Sequence, residues 1–110
     1  MSESNAINRQ ILNRNLAPFV GQGRFLIDKF HVTVESVTGS PDHAIVIESA
    51  TMATEEVYIC VTPYDDYTGN EGLSVGIDIE GHGDFEHAES IPFSGRTLSD
   101  VIEAVREWVQ

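Results

Sequence analysis

Residues 72–90 read GLSVGIDIEGHGDFEHAES, and this stretch indicates how the chain folds. Its first half alternates between apolar residues (Leu73, Val75, Ile77, Ile79) and small or polar ones (Ser74, Gly76, Asp78, Glu80). Strict alternation is typical of a β-strand that is buried on one face. The polar face continues into a segment rich in carboxylates and histidines, so the same stretch also predicts an acidic surface.

Similar patterns before and after this stretch predict an antiparallel sheet of four or five strands. Turn-forming residues separate the apolar runs, most clearly at residues 38–42 (TGSPD) and 63–72 (PYDDYTGNEG). The last strand contains Pro92, which suits an edge strand or a strand end. The predicted strands lie at about 25–37, 43–49, 56–62, 73–80 and 87–92.

Two helices are predicted at the ends of the chain. Residues 4–16 have a weak helical pattern that should end before Pro18. Residues 98–109 form a clear amphipathic helix, for which Thr97 and Asp100 provide a capping-box pattern. Trp108 falls on the apolar stripe of this helix and is expected in the core. We therefore predict a single compact α+β domain over residues 1–110, with both helices packed on one face of the sheet.

The charge distribution is the most unusual feature of the sequence. Eighteen acidic residues against six basic ones give a net charge of −12. Residues 30–95 contain thirteen aspartates and glutamates and no lysine or arginine. Such a surface repels nucleic acid and anionic membranes, and it attracts a basic protein at low salt. We therefore expect a basic, nucleic-acid-binding protein as the partner, with no direct contact to nucleic acid or membrane.

Neither a disulfide nor a targeting segment is expected. The single cysteine, Cys60, excludes an intramolecular disulfide and is interpreted as a packing residue. The N-terminal residues lack an apolar signal-peptide region, and the chain has no apolar run long enough to span a membrane. The expected location is the cytoplasm of a bacterium, or of a host cell if the protein is encoded by a phage.

Metal binding and catalysis are weaker hypotheses. His82, Asp84 and His87 include the side-chain types that bind zinc or manganese, but their spacing fits neither HExxH nor an EF-hand loop. Asp78 and Glu80 lie about 6.6 Å apart along a strand, yet nothing indicates a cleft that would shift their pKa values. We therefore predict no catalytic residue, no cofactor and no enzymatic activity.

Carboxylates and tyrosines in the second half of the chain are the candidates for partner binding. These residues are Tyr64, Asp65, Asp66, Tyr67, Glu71, Asp78, Glu80, Asp84, Glu86 and Glu89. Regularly spaced carboxylates on a strand can imitate the charges of duplex DNA. The favoured hypothesis is therefore an inhibitor that acts as a nucleic-acid mimic, such as an immunity protein against a nuclease toxin or a phage anti-CRISPR protein.

Two other binding roles are open. The order of a leading helix, a sheet and a closing amphipathic helix, together with the acidity, loosely resembles the class I type III secretion chaperones. Those chaperones carry a further helix in mid-chain, where this chain has only residues 63–72. The resemblance implies an escort function and a homodimer that exposes an apolar groove. An accessory subunit, or a protein whose charge serves only solubility, is the other alternative.

Overall fold

A computed structural model describes residues 3–40, 42–52, 55–65, 71–78 and 85–109. These residues form two α-helices and a six-stranded antiparallel sheet whose spatial order follows the sequence. Helix α1 spans Glu3–Leu16 and is followed by a 3-10 turn, Ala17–Phe19; helix α2 spans Leu98–Val109. The strands are β1 (Phe25–Ile27), β2 (Phe30–Ser36), β3 (His43–Met52), β4 (Glu55–Asp65), β5 (Glu71–Asp78) and β6 (Glu86–Pro92).

The predicted α+β class, the antiparallel sheet and both helices are confirmed, but the prediction of four or five strands is wrong. The predicted strand at 25–37 is two strands, because the chain reverses at Asp28 and Lys29, so that Ile27 pairs with Phe30. Asp28 has a φ of 55° in this two-residue turn. Aspartate tolerates that left-handed conformation better than most residues do, which is why the turn forms without glycine.

The middle strands are longer than predicted. β3 and β4 extend into residues 50–52 and 55, which were predicted to connect them, and β4 includes Pro63, Tyr64 and Asp65, which were predicted to lie in a loop. Pro63 fits in this strand because the β3–β4 pairing ends at Ile45 and Val61, whereas Pro63 pairs only with Leu73 of β5. A proline in a strand is tolerated where no neighbouring strand needs its missing N–H.

Aliphatic side chains from neighbouring strands meet in rows on one face of the sheet, the inner face. One row runs through Val32, Ile47, Ile59 and Ile77, and the next through Val34, Ile45, Val61 and Val75. All of these apolar residues except the half-buried Ile77 are at most 1% exposed. Each fully buried aliphatic side chain contributes about 1.5–3 kcal/mol of transfer free energy, so these rows are a large part of the core.

Both helices belong to the same core as the inner face. Leu12 and Leu16 of α1 are buried in one cluster with the inward strand residues. The apolar stripe of α2 joins this cluster through four buried residues: Leu98, Val101, Ile102 and Val105. Helix α2 has the predicted bounds, and its capping box is present, since Thr97 and Asp100 each bond the other's backbone N–H. Neither helix that the structure describes therefore lies on the opposite face of the sheet.

A bulge in β3 keeps its second half in register with the core. Ile47 pairs with Ile59 and Ala50 pairs with Val57, so β3 holds one more residue than β4 between these pairs. Ser49 takes a φ of 66° within this bulge. Without the extra residue Ala50 would point to the outer face, because successive strand side chains alternate between faces.

A buried carboxylate attaches α1 to the start of β3. Asp42 is 8% exposed and accepts hydrogen bonds from Arg9 Nε at 3.0 Å, from Arg9 Nη2 and from Asn13 Nδ2 at 2.7 Å. Asn13 Oδ1 in turn accepts the backbone N–H of His43 at 3.1 Å. Burial alone would raise the pKa of Asp42, but the hydrogen bonds from Arg9 and Asn13 and the nearby positive charge outweigh it and lower the pKa.

We expect Asp42→Ala to reduce the free energy of unfolding at pH 7 by about 2 kcal/mol, because Arg9 and Asn13 lose their partner at a buried position. The pKa of Asp42 in the folded protein lies below its ordinary value of 3.8. The carboxylate's contribution is therefore fully present above that value and is lost as the pH falls below it. Urea unfolding at a series of pH values measures both effects.

Glu48→Ala is the control for this prediction. Glu48 forms a more exposed ion pair with Arg24 at 2.9 Å, and such pairs contribute less than about 1 kcal/mol. Equal losses for Asp42→Ala and Glu48→Ala, or a loss for Asp42→Ala that stays constant down to pH 2, would contradict the assigned role of Asp42.

Candidate functional site

The fold separates the basic residues from most of the acidic ones. The six bases lie on α1, around β1 or at α2, and no lysine or arginine occurs in residues 30–95, which contain β2 to β6. Three arginines are neutralised by ion pairs: Arg9 with Asp42, Arg24 with Glu48, and Arg106 with Asp28. Most of the acidic residues therefore have no cation available within the sheet itself.

The sheet face opposite the helices, the outer face, has a mixed polar and apolar surface. Its described side chains include His31, Thr33, Glu35, Val46, Glu48, Cys60, Thr62, Ser74 and Asp78. Cys60 is half-buried at the centre of the outer face. Burial, and secondarily the charge of Glu35, raise the pKa of the Cys60 thiol. A raised pKa disfavours the reactive thiolate, which agrees with the interpretation of Cys60 as a packing residue.

The predicted contact residues do not form one surface. Tyr64, Asp65 and Glu71 lie where β4 and β5 pair at one end of the sheet, whereas Asp78 lies at the other end of β5. With about 3.4 Å per residue, the ends of this strand are roughly 24 Å apart. Asp78 is only 6% exposed, which does not fit its predicted place on an open acidic face. Asp66, Tyr67, Glu80 and Asp84 lie outside the described residues.

The two predicted residues of β6 lie on the helix side of the sheet. Glu86 pairs with Ile77, and Glu89 pairs with Val75, so both glutamates share the face of these inward residues. Both are nevertheless exposed, because β6 is the edge strand. Glu89 accepts a hydrogen bond from the indole N–H of Trp108, which joins β6 to α2. Trp108 is half-buried beside the core rather than fully enclosed by it.

The metal hypothesis receives no support from the described part of the chain. His82 and Asp84 lie outside it, and His87 is exposed, with its Nδ1 3.2 Å from Ser74 Oγ. Within the described ranges, no group of three or more histidine, cysteine, aspartate or glutamate side chains is placed to hold a metal ion.

A shallow groove lies between the end of β6 and α2. It has a volume of about 630 Å³ and is largely open to solvent. Its lining combines apolar and acidic side chains: Pro92, Phe93, Ser94, Gly95, Asp100, Glu103, Ala104 and Glu107. The groove adjoins the end of the sheet where Gly72 pairs with both Pro92 and Tyr64. One group of predicted contact residues therefore lies near it.

The wall of this groove is fixed by close packing and by the helix cap. Asp100 Oδ2 accepts the backbone N–H groups of Arg96 at 3.0 Å and Thr97 at 3.1 Å. The bond from Arg96 is the main reason why the pKa of Asp100 is lowered. A Cβ atom on Gly95 would lie 2.5 Å from the ring of Phe93 and 2.6 Å from Asp100 Cβ. Only glycine lets the chain pass this closely between them.

Sequence reasoning missed the acidic residues of α2 and Phe93 as site residues. Asp100, Glu103 and Glu107 follow a spacing of three and four residues, which places them on one stripe of the helix. That periodicity could have been found in the sequence. The position of these residues beside Phe93 could not have been predicted, because it depends on how the segment after β6 packs on α2.

Comparison of the chain with protein-family models, with curated proteins and with solved structures finds no match. No helix in the described ranges is both long enough and apolar enough to cross a membrane.

We expect Gly95→Ala to lower the free energy of unfolding by about 1–3 kcal/mol, because the added methyl group overlaps Phe93 and Asp100. Ser94→Ala is the matched control: Ser94 also lines the groove but is exposed, so its replacement should change stability by less than about 0.5 kcal/mol. Urea unfolding of both variants measures the difference. A Gly95→Ala protein as stable as Ser94→Ala would show that the segment is not tightly packed.

Proposed function

We propose that the protein is an inhibitor that binds a basic, nucleic-acid-handling protein and blocks its nucleic-acid groove. An immunity protein against a nuclease toxin and a phage-encoded anti-CRISPR protein are the two forms that this function would take. The observation that carries the proposal is the charge distribution: residues 30–95 contain thirteen acidic residues and no lysine or arginine, and the groove between β6 and α2 is bordered by three more acidic residues. Such a surface favours a cationic partner over nucleic acid or a second acidic chain.

The spacing of the acidic groups supports nucleic-acid mimicry. Glu103 and Glu107 are one helical turn apart, a rise of about 6 Å along α2. Phosphates on one strand of duplex DNA also follow one another at regular, close intervals, so the two carboxylates present a pair of negative charges of the same kind. A basic groove that binds nucleic acid through its backbone would accept this pattern without any base contact.

Occupation of a partner's groove requires no chemistry by the inhibitor itself. The proposal therefore assigns no catalytic residue and no cofactor to this chain. We place the proposed inhibitor in the cytoplasm of a bacterium or of an infected host cell, because that is where the proposed target meets nucleic acid.

We expect the tagged protein to capture one basic nucleic-acid enzyme from a lysate of the source cell at low salt and to release it at high salt, because the attraction is electrostatic. The captured enzyme should lose activity when the inhibitor is added at equal concentration. Mass spectrometry and a nuclease assay provide the measurements.

Two outcomes would contradict the proposal. A captured enzyme that stays fully active under saturating inhibitor would indicate an accessory subunit instead. Capture of an exported protein that resists high salt would favour the escort role.

A further inference from the structure

The groove between β6 and α2 has two features that together specify a ligand. Its apolar surface comes from Pro92, Phe93 and Ala104, and its helix side is bordered by Asp100, Glu103 and Glu107. Asp100 is engaged in the helix cap through Oδ2. Glu103 and Glu107 are exposed and form no ion pair with any side chain that the structure describes. These two glutamates are therefore the groups available to an incoming cation.

Repulsion between these two glutamates destabilises α2 when no cation is bound beside them. Like charges four residues apart on a helix repel each other, and α2 has only one basic residue, Arg106, which pairs with Asp28 instead. A cation placed between Glu103 and Glu107 would remove this repulsion. The apolar residues beside them would at the same time cover an apolar side chain of the same ligand.

We infer that this groove is the docking site for a segment of the basic partner in which lysine or arginine flanks an apolar side chain. The inference rests on the proposed function and assigns it to one surface. Charge complementarity selects this occupant, because the groove is acidic on its helix side. A second copy of this chain is disfavoured there, since it also carries a net charge of −12.

A peptide-binding experiment tests this assignment. The probe is a short fluorescent peptide of alternating arginine and leucine, and a peptide with glutamine in place of arginine is its control. We expect the arginine peptide to bind at low salt, as measured by fluorescence anisotropy, and the glutamine peptide to bind at least tenfold more weakly.

Matched charge reversals locate the site. Glu107→Lys should weaken binding of the arginine peptide by about tenfold, because it places a like charge at the groove. Glu35→Lys makes the same change in net charge on the outer face, where Glu35 is also exposed, and should change binding less than about twofold. Ala104→Phe should weaken binding without changing charge, because it fills the groove. Thermal unfolding checks that each variant is folded. If Ala104→Phe does not fold, the two charge reversals alone decide the result.

Equal weakening by Glu107→Lys and Glu35→Lys would overturn the inference, because net charge rather than the groove would then bind the peptide. Failure of the arginine peptide to bind would also overturn it. The proposed function would survive either result if the whole protein still captured and inhibited a basic enzyme. It would fail separately if no basic enzyme were captured, whatever the peptide did.

Discussion

The aliphatic rows on the inner face of the sheet are the constraint on which the rest of the structure depends. Because Val32, Val34, Ile45 and Ile47 must be buried against the helices, alternation along each strand directs the intervening side chains to the outer face. The bulge at Ser49 preserves this arrangement, since it returns Ala50 to the core. The hydrogen bonds of Asp42 to Arg9 and Asn13 then hold α1 to the sheet.

Burial of these aliphatic rows also determines which surfaces can carry the negative charge. Five strands without a basic residue cannot neutralise their own carboxylates. Among the residues that the structure describes, Arg9, Arg24 and Arg106 form ion pairs at the helices and around β1. A groove lies where the sheet edge meets α2, and there the apolar Phe93 is beside the glutamates of the helix. A charged border on an apolar surface is the usual composition of a protein-binding site, in which the apolar contact supplies affinity and the charges supply selectivity.

Local patterns in the sequence predicted much of the fold but little of the site. Helix α2 and its Thr97–Asp100 cap were predicted correctly, because both depend on residues within one segment. The turn at Asp28 was missed because it contains no glycine, and the network of Asp42 joins residues about thirty positions apart. Half of the predicted contact residues were placed on one strand and the segment after it, yet of these Asp78 is buried while Glu86 and Glu89 are exposed on the helix side. The bulge in the β5–β6 pairing brings Glu86 and Glu89 to the same face, and the edge position of β6 leaves them exposed; neither feature is visible in a single sequence.

Carboxyl footprinting of the protein with and without its captured partner tests most directly whether the acidic groove is the binding surface. A water-soluble carbodiimide couples an amine to exposed carboxyl groups, and mass spectrometry measures the extent of labelling at each residue. The account predicts that the partner lowers the labelling of Glu103 and Glu107 and leaves that of Glu35 on the outer face unchanged. Protection of Glu35, with Glu103 and Glu107 labelled as in the free protein, would contradict it.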